Sequence, residues 1–322
     1  MLLEIQDLSV SFENDEGELV TAVEGVNLSL DRGEILGVVG ESGCGKSVSA
    51  MSIARLLPSP PAHYPKGKIL FDGVDTLSMP IRELRKLRGK RIGVIFQDPM
   101  NSLSPLHRIG DQLIETVLLH EDVSKKAARD MALEWLDKVG IPDPEIRSKA
   151  YPHELSGGMQ QRVMIAMGLM LNPDLVIADE PTTALDVTIQ AQILRLMKKL
   201  HRANSGILLI THDMGVVSQM ATKIAVMYAG QVVETADDAS LFFNSPKHPY
   251  SRALLQSIPS EATKGKMLAT IPGSVPPIGS FPFGCRFAER CAFKRNECMQ
   301  NHIPLINNVR CPFAENCSKN TK

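Results

Sequence analysis

Gly40-Glu41-Ser42-Gly43-Cys44-Gly45-Lys46-Ser47 fits the pattern G-x-x-x-x-G-K-[ST], whose backbone amides cradle phosphates. Its three glycines let the chain turn tightly enough for several N–H groups to face one anion. The apolar run 33–39 before it reads as a buried parallel strand. Residues 46–57 after it read as a helix ended by Pro58. The helix N-terminus then faces the phosphates with the positive end of its dipole. Lys46 is placed to bridge the β- and γ-phosphates, and the Ser47 hydroxyl to bind Mg²⁺. A second apolar run, 175–178, ends in Asp179-Glu180. Ligands of open α/β sheets bind outside the carboxyl ends of strands, so both carboxylates are site candidates. Asp179 is expected to hold Mg²⁺ and Glu180 to polarise an attacking water.

Other polar groups sit at ends of the elements around these motifs. Gln97 closes the strand-like run 91–97, and His212 follows the run Gly206–Thr211. Phe12 closes an alternating strand, 8–12, where it either faces the core or offers a ring to a ligand. Ser156-Gly157-Gly158-Met159-Gln160 precedes a helix-like stretch, 162–171; serine caps helices and glycine permits close backbone approach. Alternating strands fill 2–30 and 67–72, giving an antiparallel β part, and residues 100–171 are mainly helical. Ser124 caps a helix whose Met131, Ala132, Trp135, Leu136 and Val139 share one face, and Gly140 ends it. A helix at 188–203 and strands near 206–211, 223–228 and 231–235 complete an α/β pattern.

The order of these motifs, with Leu155-Ser-Gly-Gly-Met-Gln160 between Gln97 and Asp179, resembles the ATP-binding-cassette (ABC) ATPases over about residues 1–240. The resemblance implies a parallel-sheet phosphate-loop core with antiparallel β and helical subdomains. It also implies ATP and Mg²⁺ as ligands. Gln97 would then touch Mg²⁺ and water, and His212 the γ-phosphate and water. Phe12 would stack on adenine. Ser156, Gly157, Gly158 and Gln160 would meet a nucleotide held by a partner's phosphate loop, and Ala184-Leu185-Asp186 would form a dimer contact. One chain carries one copy of each motif, so a second ATPase domain must come from elsewhere.

Composition bounds the remainder. A chain of 322 residues, 43% hydrophobic and 22% charged, suits a soluble protein of about two domains. A formal net charge of −1 gives no global attraction to nucleic acid. The basic run 82–91 reads as a solvated face, with contact to lipid headgroups as the alternative. No segment reaches the 18 consecutive apolar residues of a membrane helix. The N-terminus has neither a basic region nor the apolar core of a signal peptide. The expected place is therefore the cytosol, with membrane association through partners.

From about residue 240 the character changes. Five of six cysteines fall between 285 and 317, and the sixth, Cys44, lies in the phosphate loop. Such clustering in a cytosolic chain favours a metal over disulfides. The spacing lacks a Cys-x₂-Cys knuckle, and thiolates suit zinc and iron–sulfur clusters alike. Four segments narrow the resemblance to the dipeptide/oligopeptide importer ATPases: Phe96-Gln-Asp-Pro-Met-Asn-Ser-Leu-Ser-Pro105, His248-Pro249-Tyr250, Ile271-Pro-Gly-Ser-Val-Pro-Pro277 and Gly284-Cys-Arg-Phe-Ala-Glu-Arg-Cys291. That subfamily implies a [4Fe–4S] cluster on Cys285, Cys291, Cys298 and Cys311, with Cys317 surplus and Zn²⁺ the alternative. It implies an ATPase domain over 1–240 and a C-terminal segment over 241–322. It further implies a related second ATPase subunit, two membrane permease subunits and a substrate-binding protein. The chain would then sit on the cytoplasmic face of the inner membrane and drive peptide uptake. Importers of nickel, glutathione or antimicrobial peptides share much of the pattern. Soluble ABC proteins of DNA repair or translation differ by a long coiled-coil insertion or a second cassette, and neither occurs here.

Overall fold

Apolar runs bounded by turn residues form ten strands among the described residues of the computed structural model, which are 1–182, 186–258 and 269–314. These are β1 (Leu3–Glu13), β2 (Leu19–Leu30), β3 (Ile35–Val39), β4 (Ala62–Phe71), β5 (Val74–Asp75), β6 (Ile92–Ile95), β7 (Leu175–Asp179), β8 (Gly206–Thr211), β9 (Lys223–Tyr228) and β10 (Gln231–Ala236). The chain divides into two compact units. One joins Met1–Ser78 to Leu209–Lys322, and the other is Met79–Leu208.

In the first unit, β2-β1-β4-β5 form an antiparallel sheet. Every residue of β3 is buried, as a strand covered on both faces requires. It pairs in parallel with β9 in the register Val39↔Val226, so it delivers the chain to Gly40 at its carboxyl end. The strands β9 and β10 join through Ala229-Gly230, both at positive φ (46° and 79°), as a two-residue hairpin turn demands. The C-terminal segment packs into this unit's core: Tyr250 and Phe287 share a cluster with Val39, Val226 and Tyr228, and Cys285 and Cys291 lie against it. The helix after the phosphate loop spans only Lys46–Ile53, shorter than expected, because Arg55 takes a left-handed φ of 47° before Pro58 is reached.

In the second unit, β6 and β7 pair in parallel with Ile95 opposite Ala178. Arg91 fixes this register: its carbonyl accepts from the N–H groups of Asp174 and Leu175, and its Nε donates to the Asp174 carboxylate at 2.7 Å. The helix Gly157–Leu169 lies directly on β6. A side chain at Gly93 would come within 2.1 Å of the Gly168 carbonyl, so only glycine allows this approach. The helix Lys125–Lys138 begins at Ser124, whose Oγ accepts from the Ala127 N–H, and it buries Ala128, Ala132, Trp135 and Leu136. Gly140 follows at a φ of 77°, the left-handed stop expected there. The helix Val187–Leu200 starts at Asp186, which accepts from the Ile189 N–H at 2.9 Å. Ala184 and Leu185, expected in the dimer contact, lie outside the described residues.

Candidate functional site

The phosphate loop is a built cradle. Gly40 leaves β3 at a φ of 153°, and a Cβ there would sit 2.2 Å from the Met227 carbonyl and 2.8 Å from the Cys44 sulfur. Gly45 takes a φ of 95° and opens the helix Lys46–Ile53 with no side-chain cap, so that helix end presents backbone N–H groups where an anion would sit. Lys46 is 5% exposed, and its ammonium curls back onto the carbonyls of Gly40 and Glu41 at 2.8 and 2.9 Å. A buried cation satisfied only by its own loop fits a site built for phosphate. Ser42 and Gly43 are exposed and Ser47 is half-buried. Cys44 is fully buried, and burial pushes its thiol up despite the Lys46 charge. That cysteine packs the loop from inside.

In the second unit the parallel register of β6 and β7 brings two distant residues together. Gln97, two residues beyond the end of β6, donates its Nε2 to Glu180 Oε2 at 3.2 Å. Asp179 is the last residue of β7 and is 5% exposed, whereas Glu180 lies just past the strand and is half-buried. Glu180 takes a left-handed φ of 45°. Such strain in a non-glycine residue concentrates at active sites. The sequence marks Glu180 as a site candidate at a strand end, but its left-handed backbone is not written there.

Ser156 caps the helix Gly157–Leu169, its Oγ accepting from the Met159 N–H, and Ser156 and Gly157 are exposed. Gly158 is close to Ile189, which a Cβ would meet at 3.2 Å. Gln160 departs from expectation. Its side chain is 5% exposed and its Nε2 donates to the carbonyls of Pro152 and Leu155. It therefore braces its own turn instead of presenting its amide to a ligand. In the first unit, His212 is exposed immediately after β8. Thr211 Oγ1 accepts from the Asp213 N–H and Asp213 caps the next helix, Met214–Met220, so the turn carrying His212 is fixed on both sides. Phe12 is half-buried near the end of β1, opposite Val20 and Ala62, and is absent from the fully buried core.

The cysteines do not assemble as expected. Cys285 and Cys298 are joined by a backbone hydrogen bond of 2.7 Å. Burial, followed by its neighbours Cys298 and Cys291, pushes the Cys285 thiol up to about 11. Cys311 lines a cavity of about 730 Å³ with Arg252, His302 and Phe313. Among the described residues, no three His, Cys, Asp or Glu side chains form a group that could hold a metal ion. The expected set Cys285, Cys291, Cys298 and Cys311 is not a ligand cage in this arrangement, and Cys317 lies outside the described residues.

Sequence reasoning missed two long-range partners of the phosphate loop. The Glu41 N–H donates to the Tyr250 hydroxyl at 2.9 Å, and the Glu41 carboxylate accepts a two-pronged hydrogen bond from Arg290 at 2.9 and 3.0 Å.

Comparison with known proteins agrees with this geometry. A family model described as ABC transporter matches residues 23–183, and one described as Oligopeptide/dipeptide transporter, C-terminal region, matches residues 233–298. The chain is 51% identical to the oligopeptide transport ATP-binding protein OppD of Bacillus subtilis, over 95% of this chain and 85% of that protein. It is 50% identical to the dipeptide transport ATP-binding protein DppD of the same organism, over 90% and 86%. Among solved structures, the ATP-binding cassette MJ0796, a dimer in a post-hydrolysis state bound to ADP and Pi, matches with a TM-score of 0.65 at 29% identity, covering 73% of this chain and 97% of that one. A phosphate cradle, a paired glutamine and glutamate at adjacent strand ends, and these matches along nearly the whole chain place it in the ABC transporter family of ATP-binding proteins, within the oligopeptide/dipeptide branch.

Proposed function

We propose that this chain is the ATP-hydrolysing subunit of an importer that takes up di- or oligopeptides. The observation that carries the chemistry is the contact between Gln97 and Glu180, two residues placed side by side by the register of β6 and β7. In this reading Glu180 orients and deprotonates the attacking water, and Gln97 holds the Glu180 carboxylate in place. Lys46 exchanges its loop carbonyls for phosphate oxygens. Ser47 and Asp179 serve as Mg²⁺ ligands; the ion's contribution is to neutralise phosphate charge. His212 contacts the γ-phosphate, Phe12 stacks on adenine, and Ser156 with Gly157 and Gly158 serves the nucleotide of a second ATPase subunit. Residues 1–240 form the ATPase domain of this reading and 241–322 its C-terminal segment.

No helix among the described residues is long and apolar enough to cross a membrane. In this reading the path for peptide belongs to two separate permease subunits, fed by a substrate-binding protein, with this chain on their cytoplasmic face. The relatives named for oligopeptide and dipeptide transport favour peptides over nickel or glutathione. The finer suggestion of a sulfur-ligated iron cluster draws on the family resemblance and on the clustering of Cys285, Cys291, Cys298 and Cys311 in one stretch of sequence, and no catalytic step is assigned to it. Iron, sulfide and zinc analysis of anaerobically purified protein tests it; protein free of all three removes the cluster.

The ATPase assignment is tested by Lys46→Ala, which should abolish ATP binding, and Glu180→Gln, which should keep binding and lower turnover by about 10²–10⁴-fold. Near-normal turnover in Glu180→Gln would remove that residue from catalysis.

A further inference from the structure

The phosphate loop is held by residues that none of its motifs contains. Glu41, the first variable position of the loop, is gripped at both main chain and side chain. Its N–H donates to the Tyr250 hydroxyl at 2.9 Å. Its carboxylate meets the Arg290 guanidinium in a fork, Nη1 to Oε1 at 2.9 Å and Nη2 to Oε2 at 3.0 Å. Arg290 has no freedom to do otherwise. Its Nε donates to the Pro272 carbonyl at 2.7 Å, Nη1 also reaches the Tyr228 hydroxyl at 3.3 Å, and its side chain is only 7% exposed.

The platform behind these contacts is rigid. Tyr228 packs edge-on against Tyr250 and Phe287, and Tyr250 lies tilted against Phe287, with ring centroids 4.7 to 5.3 Å apart. They belong to the same buried cluster as Val39, the residue before the loop begins. Glu41 in turn supplies one of the two carbonyls that hold the Lys46 ammonium. A chain of direct contacts thus runs from the C-terminal segment through Glu41 to the cation that receives phosphate.

We propose that Arg290 and Tyr250 are positioning residues for ATP: acting through Glu41, they hold the phosphate loop in its binding shape before nucleotide arrives. The proposal rests on the ATPase assignment. A free loop must lose conformational freedom when it closes on phosphate, whereas a braced one has already done so. The brace touches the resting loop and not the reacting atoms, so its loss falls on nucleotide affinity and leaves the chemical step alone. A charge-assisted fork in a largely buried setting supports an effect of about ten- to a hundred-fold.

The experiment is titration of the full-length protein with Mg²⁺-ATP by calorimetry, with steady-state turnover measured in parallel. Arg290→Met should raise the dissociation constant for ATP by at least about tenfold, raise KM in step, and leave kcat at saturation within about twofold. Tyr250→Phe, which keeps the ring and loses only the hydroxyl, should weaken binding in the same direction. Glu41→Gln combined with Arg290→Met should be no worse than Arg290→Met alone, since both cut one link. A purely structural Arg290 would lower thermal stability without moving the ATP constant, and that result overturns the proposal. So do additive effects in the double variant, or an unchanged constant in Tyr250→Phe. Should Arg290→Met fail to fold, Tyr250→Phe and Glu41→Gln decide the matter alone. Wild-type protein that does not bind ATP would sink the ATPase assignment itself, a failure distinct from the variants matching a wild type that binds.

Discussion

Replacing His248 with Asn should flatten the acid side of this protein's stability profile. His248 is 1% exposed and caps the helix Pro249–Gln256, its Nδ1 accepting from the Tyr250 N–H at 3.1 Å. An imidazole nitrogen that accepts an N–H carries no proton, so the ring is neutral. Burial holds its pKa down to about 3, from an ordinary 6.5. The charges of Arg252 and Arg310 push the same way, and only a hydrogen bond with the Arg310 backbone opposes them. The unfolded imidazole therefore takes a proton near pH 6.5 while the folded one refuses it until about pH 3. Between those values the unfolded chain binds more protons, so the contribution is intact above pH 6.5 and is lost as pH falls. One proton corresponds to about 1.4 kcal/mol per pH unit, or about 3 kcal/mol between pH 6.5 and pH 4.

Glu234 works against this. Burial raises its pKa, so the folded state takes that proton first and gains stability as pH falls. Its carboxylate accepts from the N–H groups of Lys247 and His248, both main-chain, so it keeps these partners in the Asn variant. The difference between the two proteins then isolates the imidazole. Asn also supplies a good capping oxygen for the Tyr250 N–H. Urea unfolding from pH 7 to pH 4 should show wild type losing about 3 kcal/mol more than the variant. Parallel profiles, or a His248 resonance titrating near pH 6.5 in the folded protein, would refute the reasoning.

Three further outcomes follow from particular contacts. Gln97→Ala removes the amide that holds Glu180 Oε2, and should lower kcat about tenfold with little change in ATP affinity, as read by steady-state kinetics. Gly40→Ala would place a methyl 2.2 Å from the Met227 carbonyl, and should abolish nucleotide binding measured by calorimetry. Arg286→Met removes the donor that the Ala229 carbonyl uses and the ion pair with Glu24. Glu24 is 49% exposed and loses little, so the expected cost of about 1–3 kcal/mol in denaturant unfolding comes mainly from the orphaned carbonyl.

Much of the site is legible because its parts are local. A glycine-rich turn between an apolar strand and a helix is written in eight consecutive residues, and β3 with Lys46–Ile53 has the expected form. The Ser124 and Ser156 caps are equally local, each resting on a donor three residues on. Boundaries are less so. The helix after Lys46 stops at Ile53 because the backbone at Arg55 turns left-handed, and nothing in an arginine announces that. Gln160 misleads for a related reason. It lies one helical turn past exposed Ser156 and Gly157, but its side chain is buried by the preceding turn, where its amide Nε2 donates to the Pro152 and Leu155 carbonyls. Clustered cysteines likewise state a chemical preference without fixing where the side chains point, and here they form no metal-holding group among the described residues.

What sequence cannot express is support from afar. Glu41 and Arg290 are 249 positions apart, and Glu41 and Tyr250 are 209 apart. No spacing rule links them, because the link is made by the fold: β9 beside β3 places Tyr228 next to the loop, and the aromatic cluster then draws in Tyr250 and Phe287. Once those rings are packed, Arg290 is three residues from Phe287, and its N–H accordingly donates to the Phe287 carbonyl. The largely buried guanidinium finds its countercharge in the half-buried carboxylate of Glu41. The phosphate motif therefore specifies what the loop binds, while residues in a segment with no nucleotide motif of its own specify how firmly the loop is held before it binds. Substitutions in the C-terminal segment should accordingly be felt in ATP affinity, even where they touch no nucleotide.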